Sequence, residues 1–164
     1  MRFLESNELT EWCRDRGLPV LEDRHPLEVP SLVKRGRTPF TFSNHNPTNR
    51  PDFVRACITA LGDWDECLLW ITCFGIWPSS EDWPAFYALR GQVGEKRSLD
   101  IAPGHFFQKS DAALLVQFID SVVANAWDAY VIPVRADVPT DRRLFLSHDE
   151  WAEIESAKPQ ALAV

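Results

Sequence analysis

Apolar residues recur along this chain in two spacings, and the alternation between them sets out its elements. Over residues 6–16, Leu9, Trp12 and Cys13 share one helical face and Gly17 supplies a stop. A second helix is predicted over 51–62, opened by Pro51 at a favoured first position and closed by Gly62. Its inward face carries Phe53, Cys57, Ala60 and Leu61, with Val54 and Ile58 alongside. Residues 66–77 then read as a strand with two apolar faces, Leu69, Ile71 and Cys73 on one and Leu68, Trp70 and Phe74 on the other. Apolar residues on both faces mark a central strand covered on both sides.

A third helix is expected over 80–90, capped by Ser79 or Ser80, with Pro84 in its first turn and Trp83, Phe86, Tyr87 and Leu89 as its apolar side. After short extended pieces at 98–101 and 105–107, Ser110 caps a fourth helix whose stripe is Leu115, Phe118, Ile119, Val122 and Ala126. Residues 128–134 and 142–146 read as an antiparallel hairpin, with Pro133 at a strand end, an edge or a bulge. Ser147 and Glu150 have capping-box spacing, and Leu146 and Trp151 have that of a hydrophobic staple. Together they predict a short helix from 147 to about 157, with a frayed tail over 159–164. Prolines at 19, 26, 30, 39 and 47 exclude a helix from 18–50 and leave 38–43 as its best extended piece.

Helices alternating with strands predict one α/β domain over 1–164, of mixed or α+β type, with four to five strands and residues 66–77 at the centre. Helices cover both faces, and the C-terminal hairpin leads into the short helix. Strand 128–134 lies parallel to 66–77 if the two intervening helices form a single crossover.

Composition narrows the function more than the fold. The 164 residues carry a net charge of −7, which speaks against a general nucleic-acid binder. That charge is uneven: residues 63–164 hold eight Lys/Arg against sixteen Asp/Glu, a net of −8, whereas 24–55 hold six against two, a net of +4. The longest charge-free stretch, 67–80, is shorter than the ~18 apolar residues of a membrane span, so a cytoplasmic protein without a membrane segment is expected. Cys13, Cys57, Cys67 and Cys73 lack metal-site spacing and read as four reduced core thiols. Phosphate-loop, dinucleotide, nucleophile-elbow and zinc-protease motifs are all absent, and no cofactor or metal is expected.

Two histidines and a set of carboxylates carry what acid–base chemistry the sequence offers. His105 would pair with Asp100 or Asp128, and His148 adjoins Asp149. Asp63, Asp65 and Glu66 read as a solvated helix-to-strand turn rather than a cation site. For recognition, the candidates are Lys34, Arg35 and Arg37 in a basic, proline-rich arm over about 24–50, and three of the seven tryptophans. Trp12, Trp70, Trp83 and Trp151 fall at core positions, whereas Trp64, Trp77 and Trp127 fall at element boundaries, where an indole half-buries. An acidic body of this size, a basic arm and boundary tryptophans suit a protein-binding, inhibitor-like or immunity-like module. The alternative is a small hydrolase or other acid–base enzyme built on His105 or His148.

Overall fold

In a computed structural model, the described residues are 1–18, 20, 38–41, 49–136, 138, 140 and 142–156. The basic arm with Lys34, Arg35 and Arg37, and the tail over 159–164, lie outside them. In chain order the elements are β1 (Arg2–Leu4), α1 (Ser6–Asp15), β2 (Thr38–Thr41), α2 (Arg50–Leu61), β3 (Glu66–Cys73), α3 (Trp83–Gln92), β4 (Gly104–Gln108), α4 (Ala112–Ala124), β5 (Asp128–Val134), β6 (Arg142–Ser147) and β7 (Trp151–Ser156). The architecture is mixed α/β. Among the described residues, seven strands form one sheet in the order β1-β4-β3-β5-β6-β7-β2, more than the four to five expected.

Every pairing is antiparallel, so β5 does not run parallel to β3. The reason is β4. It reverses direction beside β3, and α4 then carries the chain across to β5 on the opposite side. The crossover therefore joins the mutually parallel β4 and β5, with β3 between them.

β3 is covered on both sides, as its two apolar faces require. Leu68 and Trp70 pack with Leu9, Trp12 and Cys13 of α1, while Cys67, Leu69 and Ile71 meet α2, α3 and α4 through residues such as Phe53, Cys57, Phe86, Phe118 and Val122. Gly104 lets α1 approach closely, since a Cβ there would lie 2.6 Å from Leu9 Cδ2. The pairing register shifts between Ile71 and Cys73, and Phe74 consequently joins Trp83 and Trp127 in the α2–α4 core instead of facing α1.

The helix starts move with their caps. Asp82, not a serine, caps α3, its side chain accepting from the Ala85 N–H at 3.0 Å. A 3₁₀ turn at Lys109–Asp111 precedes α4 in place of a Ser110 cap. Residues 98–101 form a turn, closed by Ile101 N–H to the Ser98 carbonyl.

The expected C-terminal helix is strand β7. Its residues alternate strictly: Ala152 and Ile154 are buried, whereas Trp151, Glu153 and Glu155 are half-buried. The 147–150 segment is instead the hairpin turn between β6 and β7. Glu150 N–H donates to the Ser147 carbonyl at 3.1 Å, and Ser147 pairs with Trp151. Glu150 takes a left-handed φ of 64°, the residue that completes a three-residue hairpin loop. Four residues of polar sequence satisfy either a capping box or a turn; the period-two burial beyond them selects the turn.

The four cysteines are free, with Cys13, Cys57 and Cys67 buried and Cys73 half-buried. Burial pushes the Cys13 thiol up to about 11 and raises Cys57 and Cys67 further, which suppresses thiolate chemistry. Among the described residues, no helix is long and apolar enough to cross a membrane.

Candidate functional site

The two histidines occupy opposite environments. His105, on β4, is wholly buried. Its Nδ1–H donates to the Pro103 carbonyl at 3.0 Å, leaving Nε2 to accept from Arg90 Nη1 at 3.1 Å. Arg90 is also buried and donates to the Ala102 and Arg97 carbonyls, each at 3.1 Å, with its guanidinium 5.0 Å from the Phe3 ring centroid. Burial first, and the Arg90 charge second, hold His105 neutral and pull its pKa down to about 3. Asp100 lies exposed in the 98–101 turn, and Asp128 bonds His148 instead. Neither partner expected for His105 reaches it. This histidine braces the core and takes no part in a surface reaction.

The sign of its linkage is testable. The folded state holds His105 neutral down to about pH 3, whereas the unfolded chain binds its proton near 6.5. The unfolded state therefore binds more protons across that window, and stability falls as pH drops below 6.5, by about 1.4 kcal/mol per pH unit once well below it. Glu95, which hydrogen bonds from Arg97 bring down to about 2, adds its own loss only below its ordinary 4.5. Between about pH 6 and pH 5 the comparison therefore isolates the histidine. Urea unfolding of the wild type and of His105→Gln should show a shallower pH dependence in the variant; parallel slopes would refute the assignment.

His148 lies at the surface in the 147–150 turn. Pairing of Ala129 with Leu146 brings the start of β5 beside the end of β6. There Asp128 Oδ1 accepts from the His148 backbone N–H at 2.7 Å and from its Nδ1 at 2.8 Å. The carboxylate thus fixes both the turn and the ring, assigning the proton to Nδ1 and leaving Nε2 as the basic atom. Asp149 Oδ1 stands 3.5 Å from Nε2. The sequence placed His148 beside Asp149, but the Asp128 contact required the sheet.

His148, Asp149 and Glu150 form one wall of a cleft of about 650 Å³, completed by Arg50, Trp77, Ser80, Ala124 and Ala126. Each part is held by its own backbone contacts. The Trp77 carbonyl accepts from Ser80 N–H at 2.9 Å and from Ser80 Oγ at 3.1 Å, while its N–H donates to Glu81 Oε1 at 3.1 Å. Buried Asn125 ties that loop to the end of α4, accepting from Asp82 N–H at 2.6 Å and donating to the Ser121 carbonyl at 2.9 Å. Ala126 ends α4 in a Schellman turn: its N–H donates to the Val123 carbonyl, and Trp127 N–H donates to that of Val122. Arg50, at the start of α2, pairs with Asp120 at 2.8 Å.

Among the described residues, two non-glycine positions have positive φ, Ala126 at 50° and Glu150 at 64°. Both line this cleft. Each holds a conformation costing about 1 kcal/mol or more for a residue with a Cβ, and such strain gathers at working sites.

The boundary tryptophans separate. Trp77 is 52% exposed, whereas Trp64 and Trp127 are 4% and 1% exposed, so neither of the latter offers a surface face. Trp127 lies under Phe74, Trp83 and Phe86, with ring centroids 4.7 Å from Trp83 and 4.8 Å from Phe86. Trp64 lies in the α2–α4 core, with Lys109 Nζ 5.2 Å from its ring centroid. Of the tryptophans assigned to the core, Trp12 and Trp70 are buried, while Trp83 and Trp151 are half-buried.

The acidic residues leading into β3 each have a separate partner: Asp63 pairs with Lys109, Asp65 accepts from Ala136 N–H, and Glu66, the first residue of the strand, pairs with Arg16. Among the described residues, no group of three or more His, Cys, Asp or Glu is placed to hold a metal ion. Comparison with protein-family models, curated proteins and solved structures finds no match to this chain.

Proposed function

We propose that this protein acts by binding another protein, in the manner of an inhibitor or immunity module, through the cleft between Trp77 and the 147–150 turn. The observation that carries this reading is the exposed Trp77 indole on a backbone braced by Ser80 and Glu81. A tryptophan on a fixed backbone has only two side-chain torsions to order on contact, and tryptophan is enriched among interface hot spots. Asp149 and Arg50 supply polar groups around it, as an interface rim requires.

The test is affinity capture from the native lysate with wild-type protein and Trp77→Ala as paired baits, read by mass spectrometry. Wild type should enrich a partner that Trp77→Ala recovers at least about tenfold less well, the loss of a hot spot of 1.4 kcal/mol or more. Equal recovery by both baits would remove Trp77 from the interface and the reading with it.

A second reading has its own observation, the His148 Nδ1–Asp128 contact of 2.8 Å. With Nδ1 held by a carboxylate, Nε2 is poised as a general base beside the cleft, an arrangement shared by many hydrolases. Ser80 Oγ, however, donates to the Trp77 carbonyl and so is committed to the loop rather than activated as a nucleophile. This favours binding over catalysis.

A further inference from the structure

We propose that the cleft takes a basic side chain, arginine above lysine, projecting from the partner protein's surface, with its cation held between the Trp77 indole and the carboxylates of Asp149 and Glu150. This rests on the binding reading and names the chemistry of the partner. The charged groups of the cleft set the sign. Among the described residues, five carboxylates, those of Glu81, Asp120, Asp128, Asp149 and Glu150, line it or directly contact its lining residues, against the guanidinium of Arg50 and the imidazole of His148. Arg50 is already paired with Asp120, and Asp128 is engaged with His148. Asp149, whose side chain is 68% exposed and stands 3.5 Å from His148 Nε2, and Glu150, which the turn presents at the cleft wall, remain to face a ligand.

An anionic ligand would meet these two carboxylates with one compensated arginine facing it. A cation meets two carboxylates and an aromatic face. A guanidinium is the better match because it is flat enough to lie against an indole and forked enough to bond a carboxylate with two donors, whereas an ammonium is a strongly hydrated point charge. The protein's wider field agrees: the net −8 of residues 63–164, the part that supplies most of the cleft, steers basic surfaces toward it.

A defined probe tests this apart from the identity of any partner. Arginine capped at both ends is titrated into ¹⁵N-labelled protein, and the Trp77 indole N–H resonance is followed, assigned by its disappearance in Trp77→Leu. Capped citrulline, the neutral isostere of arginine, is titrated in parallel. The expected result is a saturable shift with arginine, at least about fivefold tighter than with citrulline, weakened about fivefold in an Asp149→Asn, Glu150→Gln variant and further by added salt. Asp128 stays unaltered in that variant because it also fixes the turn. Equal response to both probes, no saturable response to arginine, or an unchanged response in the double variant would overturn the assignment. The two readings fail separately. Trp77-dependent capture without arginine binding leaves the binding function standing and removes the basic partner; Trp77-independent capture removes the binding function whatever the probe does.

Discussion

Replacement of Arg90 by Ala should lower the unfolding free energy by about 3–5 kcal/mol, among the largest losses open to a single substitution here. The guanidinium is wholly buried and donates to the Ala102 and Arg97 carbonyls and to His105 Nε2. Removing it strips three acceptors of their donor, and each buried unsatisfied group costs about 1–3 kcal/mol. It also empties the space among Phe3, Phe86 and Tyr87, whose rings lie 5.0–5.9 Å from its central carbon. Arg90→Met, which fills much of that space without supplying donors, should recover the packing part of the loss and leave the hydrogen-bonding part. Urea denaturation of the three proteins reads both. A loss below 1 kcal/mol for Arg90→Ala would mean that water replaces the guanidinium at little cost, and the bracing role assigned to it would be wrong.

The second large effect separates two tryptophans that look alike in sequence, each ending a run of apolar residues at an element boundary. Trp127→Ala should destabilise by about 3–5 kcal/mol, because its buried indole fills the space among Phe74, Trp83 and Phe86. Trp77→Ala should change stability by no more than about 0.5 kcal/mol while removing the capture described above. Thermal or urea unfolding, run on both variants beside the binding assay, gives two independent readings. A Trp77 variant that unfolds as readily as the Trp127 variant would place its role in the fold and not in recognition.

Much of the fold is legible in the chain because burial imposes its period locally. The doubly apolar run of β3, the stripes of α1, α2 and α4 and the hairpin of β5 and β6 all follow from which residues must leave water. The C-terminal segment shows where that legibility ends. Ser147 and Glu150 have capping spacing, and a polar tetrapeptide of this kind fits a helix start and a hairpin turn equally well. Pairing with β6 on one side and β2 on the other resolved it; β6 adjoins in sequence, but β2 lies more than a hundred residues earlier and leaves no local mark. β1 was missed for a similar reason: three residues are too few to show a period, and pairing with β4 defines them.

The candidate site was visible as residue types but not as a place. His148, Asp128, Asp149 and Trp77 all stood out by their chemistry, yet nothing in their spacing joins Trp77 to a turn some seventy residues later. Arg50 and Glu150 read as part of a basic segment and as half of a capping box. The signal for Glu150 was its left-handed turn, which a non-glycine residue conceals.

By itself the sequence determined the buried faces of α1, α2 and α4, the double burial of β3, and the sign and distribution of charge, since these depend on side-chain identity and short-range period. Only the tertiary structure decided that Trp77 is free while Trp127 is enclosed, that His105 is locked neutral while His148 is held by Asp128, and that the crossover through α4 straddles β3. Each of these turns on an element far along the chain that supplies a charge, a hydrogen-bond partner or a covering surface. Distant encounters of that kind are set by packing the whole sheet at once, which no local pattern encodes.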